Sequence, residues 1–517
     1  MSLTAPPKPL PPAPPVEVPS GTADRVKTRL LGRPLNTEEL AHERLGKPTA
    51  LAVFASDNLS SSAYATEEIL RVLVPAVGLA AFSLVVPVTV AMLVVLGFLI
   101  LSYRQTIKAY PSAGGAYVVT RDNFGIVPAQ FAGVALLADY VLTVAVSVSA
   151  GTAALTSAFP ALVPAAVPIS IAFVVLVAFG NLRGVRESGK VFAVPTYFFM
   201  VNMLVLLGVG VFRMAFGGLP VQAADQAGLL HFGSAGDGLF LGAGLFVLLH
   251  AFASGGAAVT GVEAISNGVP AFRPPEWRNA RTTLVVMGVS LGVMFLGLSV
   301  LAGHMHVAPF EEGSPTVISQ IAKLVYGPGA VGHILFVALQ AGTMLILVLA
   351  ANTSFADFPR LASFQAADGY LPRRLVHRGH RLVFSTGIMW LAGASIALVV
   401  VTGAKVDHLI PLYAVGVFTS FTLSQAGMAR HHLRLKQDGW RSGLLINGIG
   451  AVLSALVLLI ITVTKFTHGA WLIVVLVPTT VLLLLRLNRQ YRAEAAELER
   501  DAELAATARI LRRHVVL

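Results

Sequence analysis

Three groups of oxygen-bearing side chains stand in otherwise apolar sequence. The first is Phe54-Ala55-Ser56-Asp57-Asn58-Leu59-Ser60-Ser61-Ser62-Ala63-Tyr64. Asp, Asn and three consecutive serines compete with the backbone for hydrogen bonds and favour a helix break, with Asn58 and Ser60 inside it. The second is Asp139-Tyr140-Val141-Leu142-Thr143-Val144-Ala145-Val146-Ser147, in which Asp139, Thr143 and Ser147 recur every four residues. Such spacing aligns one carboxylate and two hydroxyls along a single helix face. The third runs from Phe252 to Glu263 and holds Gly255-Gly256, a natural unwinding point, followed by Thr260 and Glu263 on one face of the next helix. None of the three contains Lys or Arg, and Arg71 comes only later, at the end of the membrane span that holds the first. Buried carboxylates without a cationic side chain call for a metal ion or a proton. Hydroxyl, carbonyl and carboxylate oxygens suit hard alkali or alkaline-earth ions. The cargo expected from these residues is a small cation.

The elements that must position them lie in a bilayer. Of 517 residues, 55% are hydrophobic and 12% charged, against roughly 25% charged in ordinary soluble domains. Mean hydropathy is +0.75. Weakly charged stretches of about twenty residues recur from Leu51 to Leu485, as membrane-spanning helices require. A charge at the bilayer centre costs about 2.5 kcal/mol or more and persists mainly for function, which makes the three polar groups informative. The chain has no cysteine, so a disulfide framework, a thiolate metal site and a Cys nucleophile are excluded.

Twelve spans are expected: 48–75, 79–103, 126–157, 161–180, 188–212, 238–268, 282–305, 330–352, 384–402, 407–429, 443–464 and 469–486, with short amphipathic pieces at 110–121, 315–326 and 355–370. Alternate loops carry eighteen Lys and Arg, among them Arg104, Arg121, Arg183, Arg273, Arg360 and Arg430. The opposite loops carry four: Arg213, Lys323, Lys405 and Lys465. The positive-inside rule then places both termini in the cytoplasm of a bacterial cell whose plasma membrane the chain crosses many times. It also accounts for the net charge of +11 without nucleic acid. Residues 1–46 begin with eight prolines in the first twenty and turn basic, so a disordered cytoplasmic tail is expected. Residues 47–486 form the membrane domain, and 487–517 a short charged cytoplasmic helix. No HExxH motif or nucleophile–base constellation stands out, so an enzyme is not expected.

The first and third polar groups lie about 200 residues apart, each opening one of two five-helix halves. Interrupted helices at corresponding positions point to a midplane site in inverted-repeat carriers. The segments Asp57–Tyr64, Tyr110-Pro111-Ser112-Ala113-Gly114-Gly115-Ala116-Tyr117, Asp139–Thr143 and Thr260-Gly261-Val262-Glu263-Ala264-Ile265-Ser266-Asn267 resemble the amino acid–polyamine–cation (APC) superfamily. Within it they are most similar to the KimA-type potassium importers, relatives of the KUP family, over roughly residues 46–486. The resemblance implies an all-α membrane protein of LeuT-type fold, with spans 1–5 and 6–10 as inverted repeats, helices 1 and 6 broken, and two further helices. It implies proton-coupled potassium uptake by alternating access, with no cofactor beyond the transported ions. Potassium ligands are implied at Asp57, Tyr64, Asp139, Tyr140, Thr143, Ser147 and Thr260, and the proton-coupling carboxylate at Glu263. Relatives carry a large C-terminal domain that binds cyclic di-AMP and helps dimerisation. This sequence ends about thirty residues after the last span, which puts that regulation and a domain-swapped homodimer in question. The rival is a proton-coupled amino acid or polyamine permease. Such proteins hold a substrate carboxylate on free backbone N–H groups at a glycine-rich first break, where this chain has Asp57.

Overall fold

Backbone N–H and C=O groups in a bilayer must be satisfied within the segment that carries them, so apolar runs of this length fold as helices. The computed structural model describes residues 44–511 except 112–114, 184–188, 235, 237, 239 and 378–383. The proline-rich segment lies outside the described residues, as do Ser112, Ala113 and Gly114 of the Tyr-Pro-Ser loop. Among the described residues the chain is helical, and extended pairing is limited to isolated bridges.

Helices α1 (Lys47–Phe54), α2 (Ser56–Ser60) and α3 (Ala65–Val77) form the interrupted first crossing, and α4 (Ala81–Ala109) returns. A short α5 (Ala116–Phe124) leads into α6 (Ile126–Ala158), followed by α7 (Ala166–Leu182) and α8 (Gly189–Phe216). The second interrupted crossing is α9 (Leu245–Gly255) and α10 (Glu263–Asn267), and α11 (Glu276–Met305) returns. Helices α12 (Val317–Tyr326), α13 (Ala330–Ala367), α14 (Ser385–Thr402), α15 (Val406–Leu435), α16 (Trp440–Thr464) and α17 (Ala470–Leu511) complete the chain.

Among the described residues, eleven helical stretches are long and apolar enough to cross a membrane, one fewer than the expected twelve. The first, Ser56–Ala109, is 54 residues long and takes in the first expected span from Ser56 onward together with the second, with a turn at Gly78. Gly78 has φ +58, and a Cβ there would sit 2.2 Å from the Gly233 carbonyl oxygen, so only glycine fits the turn. Other boundaries differ for local reasons. Glycines at 236, 238, 242 and 244 keep the stretch before Leu245 out of the sixth crossing, which starts there and not at 238. The separate piece expected at 355–370 does not exist, because α13 runs unbroken for 38 residues through Pro359. Arg360, counted above as a loop cation, is therefore a helix residue. The last crossing likewise continues without interruption into the charged tail.

Among the described long stretches α6 is the most deeply buried and the one containing α7 the least. Small residues allow this. A Cβ at Gly416 of α15 would lie 2.9 Å from the Ala135 carbonyl oxygen of α6 and 3.7 Å from Asp139 Cβ. Helices α13 and α15 thus clasp α6 and hold its polar stripe inside the protein, and Tyr140 beside that stripe accepts from Asn267 of α10.

Candidate functional site

The two interrupted crossings meet at their breaks. Ala55 (φ −98, ψ −6) separates α1 from α2, and a tight turn over Ser61–Ala63 separates α2 from α3. Asn58 and Ser60 are themselves helical, with the irregular points on either side of them. The serines are occupied locally: Ser60 Oγ donates to the Asp57 carbonyl (2.7 Å), Ser62 Oγ to that of Leu59 (2.7 Å), and Ser61 Oγ lies 3.0 Å from Tyr64 Oη. They stabilise the break and orient Tyr64.

In the second crossing the backbone narrows to a 3-10 turn from Gly256 to Val259, but it opens further on, at Thr260–Val262. Thr260 is extended (φ −73, ψ 161) and Gly261 left-handed (φ +79). Thr260 therefore does not share a helix face with Glu263, which begins α10. Its hydroxyl donates to the Ala257 carbonyl (2.9 Å), and its own carbonyl accepts from Asn58 Nδ2 (2.7 Å). That last bond ties one break to the other. Gly261 is the contact point, since a Cβ there would stand 2.8 Å from Asp57 Oδ2 and 3.0 Å from the Asn58 nitrogen. Gly261→Ala should lose about 1–2 kcal/mol to the left-handed backbone alone and displace Asp57. Uptake is expected to fall far more than thermal stability, and normal uptake by this variant would show that the breaks need not touch.

Asp57, Tyr64, Asp139, Tyr140, Thr143, Ser147, Thr260 and Glu263 are all buried. Asp57, Asp139 and Glu263 share one electrostatic cluster, with Tyr413 of α15 close to Asp57, Asp139 and Tyr64. None of the ion pairs among the described residues involves these three carboxylates. Asp139 Oδ1, Glu263 Oε2, Asn58 Oδ1 and Ser56 Oγ are buried without a hydrogen-bond partner among the described residues. Buried polar atoms are normally satisfied, so a group of unsatisfied oxygens around paired carboxylates marks a place for a positive charge. Two residues of this neighbourhood escaped the sequence reading. Tyr413 is an aromatic side chain in an apolar helix, with only its hydroxyl to signal it. Asp357 of α13, which interacts with both Asp57 and Glu263, lay in a segment expected to be a separate amphipathic piece between two spans.

Cavities abut the crossing from opposite sides. On the basic face a cavity of about 30 Å3 is lined by Tyr140, Asn267, Asp357 and Arg360. On the other face a chamber of about 150 Å3 reaches Tyr64, Glu67, Glu68 and Arg71. Beyond it opens a vestibule of about 810 Å3 that contains Lys465. Burial holds the Lys465 ammonium below its ordinary pKa, and Glu68 opposes this. Arg71 stands where chamber and vestibule meet, 3.4 Å from Glu67, 3.7 Å from Glu68 and 3.9 Å from Asp407, with the Phe310 carbonyl at 3.0 Å. Gly288-Val289-Ser290-Leu291-Gly292 fits the GxSxG pattern of hydrolases, but it lies in the middle of α11, where no strand-to-helix elbow exists.

A bundle of membrane-length helices, two of them interrupted and crossing at buried carboxylates between two cavities, defines a multi-pass membrane carrier. Its sequence matches the model of one such group from residue 45 to residue 486. The chain belongs to the amino acid permease family. It is 46% identical over 473 residues to the potassium transporter KimA of Bacillus subtilis strain 168, covering 92% of this chain and 75% of that protein. A crystal structure of the manganese transporter of Eremococcus coleocola, in complex with an aromatic bis-isothiourea substituted compound, is similar with a TM-score of 0.46 and 14% identity. That match covers 92% of this chain and 96% of the other.

Proposed function

We propose that this protein is a potassium importer driven by proton symport. The observation that carries the reading is the pair Asp57 and Asp139, buried at the crossing with unsatisfied oxygens around them and, among the described residues, no cationic side chain paired to either. Tyr64, Tyr140, Thr143, Ser147 and the backbone at Thr260 supply neutral oxygens of the kind that replace the hydration shell of an alkali ion. The 46% identity to a potassium transporter supports the same cargo. Glu263, at the start of a short helix between hinges, is the carboxylate left for the proton. Cation and proton enter from the chamber beside Tyr64 and leave by the cavity beside Tyr140. The basic face is cytoplasmic by the positive-inside rule, and moving Arg360 from loop to helix does not alter that asymmetry.

Proteoliposome uptake of labelled rubidium tests the proposal, with amino acids and polyamines as competitors. Saturable uptake stimulated by an inward proton gradient and unaffected by either competitor is expected. Competition by an amino acid, or uptake of the amino acid itself, would show a permease for that solute instead. Rescue of a potassium-auxotrophic bacterium at micromolar potassium is the cellular counterpart.

A further inference from the structure

Asp357 and Arg360 are drawn into the site by the fold. Asp357 is 3% exposed and interacts electrostatically with Glu263, Asp57 and Tyr140. It is thus a fourth carboxylate of the same cluster, and unlike the other three it has a cationic partner among the described residues, with Arg360 Nη1 3.4 Å from its Oδ1. The same Nη1 donates to the Asn267 carbonyl at 3.0 Å. Asn267 is the last residue of α10, so this carbonyl is one of the acceptors a helix end leaves open. The Asn267 amide in turn donates to Tyr140 Oη at 3.2 Å. Gly115 closes the ring: a Cβ there would fall 2.4 Å from Asn267 Oδ1. These residues converge on the cavity of about 30 Å3, which has room for a water or two.

The parts that would have to move form a unit. Helix α10 is five residues long and lies between Gly261 and Gly268. Gly268 packs on Phe54 of α1, Phe54 stacks on Phe272 (5.6 Å), and Leu45 exchanges backbone bonds with Ala271 and Arg273 (2.8 and 3.0 Å). The halves of both interrupted crossings on the basic face are therefore bound to each other. Their side-chain hold on α13 and α6 includes the two bonds of Asn267. A guanidinium at the end of a cation path repels the cation that must pass it, so it has to be displaced at each release.

We propose that Asp357 is the last carboxylate on the cation path, and that Arg360 is the positioning residue that neutralises it while Asn267 holds the path shut. When the α1–α10 unit swings away, Arg360 loses the Asn267 carbonyl and turns outward, and Asp357 takes the cation from the central site before it leaves. The identity of the cation rests on the potassium reading, whereas the latch does not.

The absence of native cysteine gives a clean reporter background. Val118→Cys places one thiol at the cavity, to be labelled from the basic face with a membrane-impermeant methanethiosulfonate. Arg360→Gln should raise the labelling rate by about tenfold or more, as loss of about 1.4 kcal/mol of closed-state preference requires, and Arg360→Lys should return part of it. Asp357→Asn, which leaves the Asn267 contact in place, should label slowly like the parent. Its maximal rubidium uptake should fall about tenfold while the external KM stays unchanged. If Arg360→Gln does not reach the membrane, the double variant Asp357→Asn/Arg360→Gln, with no uncompensated charge at this pair, supplies the same labelling readout. Parent-like labelling without Arg360 overturns the latch, and parent-like uptake by Asp357→Asn overturns its place on the path. Absence of rubidium uptake by the unsubstituted chain would instead overturn the potassium reading, while the labelling result would still stand.

Discussion

Asp57→Asn and Asp139→Asn are each expected to abolish rubidium uptake in a protein that still folds. The substitution is nearly isosteric, and neither carboxylate takes part in an ion pair among the described residues, so no buried partner is stranded. What is lost is a formal negative charge in a desolvated site. Removing one partner of a buried charge pair costs about 3–5 kcal/mol, which corresponds to roughly a thousandfold in cation affinity. The new amide also brings two donors that a cation site cannot use. Tracer uptake and a thermal melt of the purified variant separate the two effects. Normal uptake at normal abundance would remove that residue from the site.

Glu263→Gln should separate the two ions. Glutamine has the charge and shape of a protonated glutamate but cannot release the proton. Cation binding at Asp57 and Asp139 should persist, along with downhill flux or exchange, while accumulation against a gradient disappears. Glu263 stands one turn of open backbone beyond Thr260, buried, with Oε2 unsatisfied. An uncompensated carboxylate there has a proton as its natural counter-charge. The measurement is rubidium accumulation under an imposed pH gradient. A Gln variant that still concentrates the ion would make Glu263 structural and move coupling elsewhere.

Much of this arrangement could be read from the sequence because charge in a membrane is conspicuous. Asp57, Asp139 and Glu263 could be picked out one by one; the meeting of the first and third followed from the order of the spans, and Asp139 joined them through the family resemblance. What was not legible depended on tertiary contacts. Gly255-Gly256 looked like the point of unwinding, yet there the helix only tightens, against Ile69 and Met92. The true opening rests on Gly261, whose necessity comes from Asp57, about 200 residues away. Hydropathy ends the eighth expected span near Asn352, so Asp357 and Arg360 fell into a separate amphipathic piece between spans. The helix continues because the protein, not lipid, receives its polar face. Tyr413 gave no signal that periodicity could separate from ordinary packing.

The length of α17 has a mechanical consequence. At 1.5 Å per residue its 42 residues would extend about 63 Å, roughly twice the thickness of a hydrocarbon core. Its second half is a stiff rod continuous with a transmembrane helix. Where the rod departs, Asn488 Nδ2 donates to the carbonyls of Asp368 and Gly369 at the end of α13 (3.3 and 3.1 Å). The Asp368 carboxylate accepts from Tyr117 (2.7 Å) and Arg121 (3.0 Å) of α5. Torque on the rod is therefore delivered to the junction of α13 and α5 instead of being dissipated in a loose linker. A fluorophore at Leu498, which is 70% exposed, would act as the tip of a lever and magnify small tilts of α13 into displacements large enough to follow optically.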